Sequence, residues 1–223
     1  MSSISELPPV EVASSAAAPE LTVILLHGLG ADGHDFEPIV PELRLRRPMR
    51  FVFPHAPVRA VTINGGMSMR AWYDILGWGA TAAEDADGIR ASAALVTRLI
   101  DRETGSGCAS ERIVLAGFSQ GGAIALHAGL RERRPLGGVL ALSTYLPLAA
   151  TLASEASAEN RAVPIFMAHG TADPVVPLTI AAASRAALVR QGYAVDWHAY
   201  PMGHSVCAAE VAAIAEWLEL RAG

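Results

Sequence analysis

An α/β architecture, with a mostly parallel central sheet covered by helices on both faces, is predicted by two observations. Short apolar runs rich in β-branched or aromatic residues alternate with longer amphipathic stretches, and Gly or Pro punctuates the boundaries. The runs are Leu21 to Leu26, Arg50 to Phe53, Ile113 to Phe118, Gly138 to Leu142, Pro164 to Ala168 and Ala194 to Tyr200. Being short, rich in β-branched or aromatic residues and bounded by Gly or Pro, most of them read as buried strands. The stretches between them predict helices over roughly Asp35 to Arg46, Glu84 to Arg102, Gln120 to Glu132, Thr179 to Gln191 and Ser205 to Arg221. Residues 1–20 read as a polar Ala/Ser/Pro-rich leader, flexible or holding a short edge strand near Pro9 to Val12, and residues 21–223 as a single domain.

Composition narrows the function. The chain has 223 residues, 52% hydrophobic and 17% charged, which suits one well-buried core. Mean hydropathy is +0.32, yet no apolar run reaches the roughly 18 uninterrupted residues of a membrane helix, so no stable membrane insertion is expected. The N-terminus lacks the basic start and apolar stretch of an export signal, which points to the cytoplasm. There Cys108 and Cys207 are expected as reduced thiols. A net charge of −5, with only Arg44, Arg46, Arg47 and Arg50 clustered, gives no reason to expect nucleic acid as a partner. All 17 basic residues are arginines. Without a lysine amine, Schiff-base chemistry, a Ser–Lys dyad and a P-loop are excluded.

The segments that carry chemistry follow strands, at the end where open parallel sheets bind ligands. Gly117-Phe-Ser119-Gln-Gly121 lies between the run ending at Phe118 and a helix-compatible stretch, and is a GxSxG pattern in a strand–turn–helix context. A serine on that sharp turn projects Oγ into the crevice, and the helix start aims free N–H groups at the same place. This context turns α/β into the α/β-hydrolase fold, in which the order along the chain is serine, acid, histidine. Downstream of Ser119 and its helix stand three histidines. His169 opens a loop and His198 lies inside a strand, so His204, preceded by Gly203, is the expected base. Asp173, after a strand and pinned by Pro174, is the expected acid, ahead of the strand residue Asp196 and the connector residues Glu155 and Glu159. The oxyanion donors are expected to be the backbone N–H groups of Gln120 and of Leu29 in the His27-Gly-Leu-Gly30 loop. His27 is expected to hold that loop. The long loop from Val58 to Gly79 carries Met69, Trp72, Leu76 and Trp78, which either wall an acyl pocket or close the edge of the core. The chain leaves no room for a large cap domain.

Other readings stay in view. Gly28 to Gly33 also fits a GxGxxG dinucleotide fingerprint, but Phe51-Val-Phe53 runs into Pro54-His55 without the acidic residue that would bind a ribose, and Pro38 interrupts the following helix. His27, Asp32, His34 and Asp35 match no metal-ligand spacing, so no metal is expected. A non-catalytic binding module on the same fold would be separated by a single esterase assay.

Together, His27-Gly-Leu-Gly-Ala-Asp-Gly33, Ala71-Trp-Tyr-Asp-Ile75, Ala116 to Gly122, Leu142-Ser-Thr-Tyr145 and Tyr200-Pro-Met-Gly-His204 resemble the small bacterial carboxylesterases of the phospholipase/carboxylesterase family. The eukaryotic acyl-protein thioesterases look like relatives. The resemblance runs from about Leu21 to Leu220 and implies the same triad of Ser119, Asp173 and His204. It also implies a cofactor-free hydrolase of short- to medium-chain esters, lysophospholipids or thioesters, and frequent assembly as a homodimer.

Overall fold

The computed structural model describes residues 7–77 and 83–222; residues 1–6 of the leader, together with Trp78 and Gly79 of the long loop, lie outside the described residues. Nine strands and six α-helices follow one another among those described: β1 (Val10–Ala13), β2 (Leu21–Leu26), α1 (Ile39–Glu42), β3 (Met49–Phe53), β4 (Val58–Val61), β5 (Met67–Arg70), α2 (Ala86–Gly105), β6 (Ile113–Phe118), α3 (Gln120–Gly129), β7 (Gly138–Leu142), α4 (Leu152–Glu155), β8 (Ile165–Gly170), α5 (Leu178–Arg190), β9 (Val195–Tyr200) and α6 (Ala208–Glu219). Seven strands form one sheet in the order β1-β3-β2-β6-β7-β8-β9. Every pairing in it is parallel except β1 with β3.

Period-two alternation divides the apolar strand residues between two cores. Along β2, Ile24 and Leu26 pack with α2, α3 and α5 on one face, while Val23 and Leu25 pack with α1 and α6 on the other. Both sets are close to fully buried, and each such side chain contributes about 1.5–3 kcal/mol relative to exposure. That two-sided burial is why β2, β6, β7 and β8 lack the polar alternation of a half-exposed sheet.

Register brings the loops to one rim. Leu26 pairs with Gly117, Phe118 with Leu142, Leu142 with Ala168, and Gly170 with Tyr200. The segments beginning at His27, Ser119, Ser143, Thr171 and Pro201 therefore leave the sheet at the same edge.

Three local differences from the sequence reading have physical causes. The helix expected over Asp35 to Arg46 is a single turn, Ile39–Glu42, because Pro38 and Pro41 remove amide donors and Arg44 stands at φ 48°. The long loop contains the β4–β5 hairpin, whose reversal rests on Gly65 and Gly66 at φ 66° and 79°. Strand β8 extends to Gly170, so His169 sits inside the sheet rather than opening the loop.

The helix that follows the His204 segment begins with a buried carboxyl. Glu210, in the first turn of α6, is 0% exposed and neither oxygen has a hydrogen-bond partner. Burial pushes its pKa up to about 7. A carboxyl raised on folding binds more protons folded than unfolded, so its contribution is fully present below pH 4.5 and is lost as pH rises to about 7. Denaturant unfolding should show stability falling by roughly 3 kcal/mol across that window from this group, at about 1.4 kcal/mol per unit. Glu210→Gln should flatten the profile; an unchanged slope would remove Glu210 as its source.

Candidate active site

Ser119 occupies the turn between β6 and α3 with φ 54° and ψ −121°, a conformation that costs energy for a residue with a Cβ. What holds it there is close backbone packing. A Cβ on Gly117 would run into the Gly121 backbone, and one on Gly121 into the Leu26 carbonyl. Glycine at both positions lets the turn press against β2. The Ser119 amide donates to Leu142 O (2.8 Å) and the Thr144 hydroxyl to Ser119 O (2.6 Å), tying the turn to the end of β7.

His204 Nε2 lies 2.9 Å from Ser119 Oγ and His204 Nδ1 lies 2.7 Å from Asp173 Oδ2. Residues 85 and 31 positions apart in the chain thus join in one hydrogen-bonded line. The Asp173 side chain is fully buried, and its other oxygen accepts from the Val175 and Val176 amides at 2.8 and 2.9 Å. His169 completes this turn, its Nε2–H donating to Val176 O at 2.8 Å. The Phe118 ring, 4.7 Å from that of His204, backs the imidazole.

Two amides near Ser119 in the chain or fold are left without acceptors. Among the described residues, neither the Leu29 nor the Gln120 backbone N–H donates a hydrogen bond. Gln120 opens α3, where such donors are orphaned by helix geometry. The Leu29 loop is braced from behind. His27 Nδ1–H donates to Gly28 O (2.7 Å), and its Nε2 accepts from the Ala56 amide (3.0 Å). Burial lowers its pKa to about 4, so the ring stays neutral and keeps this donor–acceptor arrangement. The Trp72 indole donates to His27 O at 2.9 Å. The Gln120 side chain accepts from Trp72 N and donates to Tyr73 O, both at 2.8 Å.

The tentative pocket residues separate. Trp72 is 1% exposed and holds the loop, which corrects its reading as pocket wall: its indole is used up inside the core. Met69 lies on β5 with Sδ 3.8 Å from where a Cβ on Gly30 would stand. Leu76, 44% exposed, does line a cavity of about 570 Å³, together with Tyr73, Leu146, Val176, Ile180 and Ala183. The Tyr73 and Tyr145 hydroxyls, 2.7 Å apart, join its walls. The Gln120–Trp72–His27 brace was not foreseen. A polar glutamine at the head of a helix whose one other polar side chain is His127 was the available sign.

The dinucleotide reading fails locally, because turns and only the short α1 follow Gly33. The polar loop residues are engaged with one another. Asp32 accepts from the His34 amide, His34 meets Glu37 at 2.9 Å, and the Gly33 amide donates to His55.

The phospholipase/carboxylesterase family model matches residues 8–222. The chain is 41% identical to acyl-protein thioesterase 1 of Neurospora crassa, over 99% of this chain and 94% of the relative. It is 42% identical to acyl-protein thioesterase 1 of Gibberella zeae, over 85% and 86% respectively. The crystal structure of Zea mays acyl-protein thioesterase 2 superposes with a TM-score of 0.85 at 28% identity, covering 96% of this chain and 99% of that one. Both sequence relatives are fungal, so the expected likeness to bacterial carboxylesterases in particular is not supported.

Trp72→Phe keeps the ring but leaves the buried His27 carbonyl without its donor. We expect a loss of about 1–3 kcal/mol in denaturant unfolding, with a lower kcat because the Leu29 loop loosens. An unaltered midpoint would show that the indole bond contributes nothing.

Proposed function

The chain belongs to the phospholipase/carboxylesterase family of serine hydrolases, and from that premise we propose that it hydrolyses acyl esters and thioesters through an acyl-enzyme on Ser119. The observation that carries this reading is the hydrogen-bonded line from Ser119 Oγ through His204 to buried Asp173. In the proposed cycle, Ser119 Oγ attacks the acyl carbonyl while His204 Nε2 takes its proton. Asp173 fixes the imidazole with Nδ1–H toward itself and stabilises the imidazolium. The Leu29 and Gln120 amides receive the oxyanion, and each such donor is worth about 10²- to 10³-fold in turnover. His204 then protonates the departing alkoxide or thiolate. Water, activated by the same nitrogen, attacks the acyl-enzyme and releases the acid.

The 570 Å³ cavity supports an acyl chain longer than acetyl, since pockets of roughly 300–1,000 Å³ suit small-molecule ligands. It adjoins the reacting groups through two elements: Val176 is bonded to Asp173, and Tyr73 to Gln120. Two of the relatives are named acyl-protein thioesterase 1, and that name favours thioester cleavage from an acylated protein as the reading for this chain. A leaving group at this open rim needs no deep pocket of its own, so the same site accommodates ester and lysophospholipid substrates as the second reading.

Ser119→Ala should lower kcat on a chromogenic ester by at least about 10⁴-fold, and Asp173→Asn by about 10⁴-fold, with folding unchanged. A folded Ser119→Ala variant of undiminished activity would end the proposal. Ala183→Trp, which fills the cavity from the exposed face of α5, should cut kcat/KM for dodecanoyl thioesters by roughly 10-fold or more while sparing acetyl esters. Equal losses on both chains would mean that the acyl group lies elsewhere.

A further inference from the structure

The cavity of about 570 Å³ is walled largely by apolar side chains, Ile75, Leu146, Val176, Ile180 and Ala187 among them. Most of the polar groups around it are engaged or exposed. Ser184 Oγ donates to Ile180 O and accepts from the Leu146 amide. Asp74 accepts from Thr62, Asp85 from the Asp74 and Gly88 amides, and Glu84 from the Leu148 amide. Thr179 and Arg190 are exposed on α5.

Tyr73 and Tyr145 differ from these. Tyr73 is buried, Tyr145 is half-buried, and both line the cavity. Their hydroxyls lie 2.7 Å apart, and among the described residues neither oxygen has another partner. Two hydroxyls carry two hydrogens, and the bond between them uses one. Whichever tyrosine donates, the second hydrogen has no acceptor among the described residues. Burial raises the pKa of both, that of Tyr73 well above the ordinary tyrosine value, and Glu84 acts in the same direction on each. Both groups therefore stay protonated at neutral pH. The segments that carry them are tied to the catalytic turn: Tyr73 O accepts from the Gln120 side chain, and Thr144, just before Tyr145, donates its hydroxyl to Ser119 O.

We propose that this pair selects an acyl chain bearing an oxygen acceptor, a hydroxy-, oxo- or ether-substituted acyl group, over the plain alkanoyl chain of the same length. Such selection rests on the acyl-enzyme at Ser119, with its chain in this cavity. A plain chain that fills the cavity strips solvent from the spare hydroxyl hydrogen and offers no acceptor in exchange. Leaving a buried donor unpaired costs more than a typical hydrogen bond gains. An oxygen at the matching depth accepts that hydrogen, and a substrate hydroxyl there also donates to the lone pairs the tyrosines leave free. The difference falls on the bound acyl chain, so it is expressed in kcat/KM.

Decanoyl thioesters in which one methylene is replaced by an ether oxygen, at each interior position in turn, keep the chain length while moving the acceptor along it. For the unsubstituted protein, kcat/KM at the favoured position should exceed that of the plain decanoyl thioester by at least about fivefold. In Tyr73→Phe/Tyr145→Phe, which removes both hydroxyls and keeps both rings, that ratio should fall by a similar factor. Both substitutions are needed, since a single remaining hydroxyl keeps a hydrogen to donate. Comparing the ratio between the two proteins cancels the effect of the ether on thioester reactivity, and a ratio does not depend on how much of the variant is folded. A series with no favoured position, or a preference that survives in the double variant, overturns the proposal; tyrosines that only tie their loops together would leave the ratio unchanged. Failure of the folded, unsubstituted protein to cleave even the plain decanoyl thioester would end the acyl-enzyme reading and this selection with it, so the two failures are told apart by that one substrate.

Discussion

The rest of the site depends on a close crossing of backbone: the turn at Ser119, pressed against the end of β2. With φ at 54°, Ser119 sits where a side chain is disfavoured. The strain persists because Gly117 and Gly121 admit neighbouring backbone where any Cβ would collide. The consequence is geometric. Oγ stands where His204 Nε2 reaches it at 2.9 Å, and among the described residues the first amide of α3 is left without an acceptor. Relaxing the turn would displace the proposed nucleophile and one proposed oxyanion donor together.

A second polar layer keeps the other donor in place. Gln120, adjacent to Ser119, reaches away from the site to the Trp72 and Tyr73 backbone, and Trp72 reaches on to the His27 carbonyl. Buried polar groups are tolerated when all are satisfied, and here each bond has a positional effect on the Leu29 loop. Asp173 follows the same principle on the opposite side. Two amides hold one of its oxygens, and the other is left for His204. Shape is therefore maintained by hydrogen bonds made away from Ser119 Oγ.

The strands that deliver these residues also leave the sheet unfinished at β9. The His204 segment follows that strand directly, so the C-terminal end of β9 carries the imidazole to Ser119.

Much of this was legible in the order of residues. Six of the seven strands in the main sheet are visible as short runs rich in β-branched or aromatic residues, and in β2, β6, β7 and β8 burial on both faces removes the polar alternation as well. Ser119, Asp173 and His204 are selectable by their place after strands, since a parallel sheet exposes its loops at one end. The β4–β5 hairpin was hidden by weak alternation, and α1 was overestimated because periodicity does not register the donors lost at Pro38 and Pro41. The roles of Trp72 and Gln120 were out of reach for a different reason: hydrogen-bond partners 45 and 48 positions apart are set by how layers stack. The sequence by itself determined the layered fold and which side chains carry the chemistry, through local pattern and composition. Tertiary structure alone decided which tryptophan face is spent in the core, which cavity stays open, and which strand edge is left unpaired, because these follow from distances between segments that no local pattern encodes.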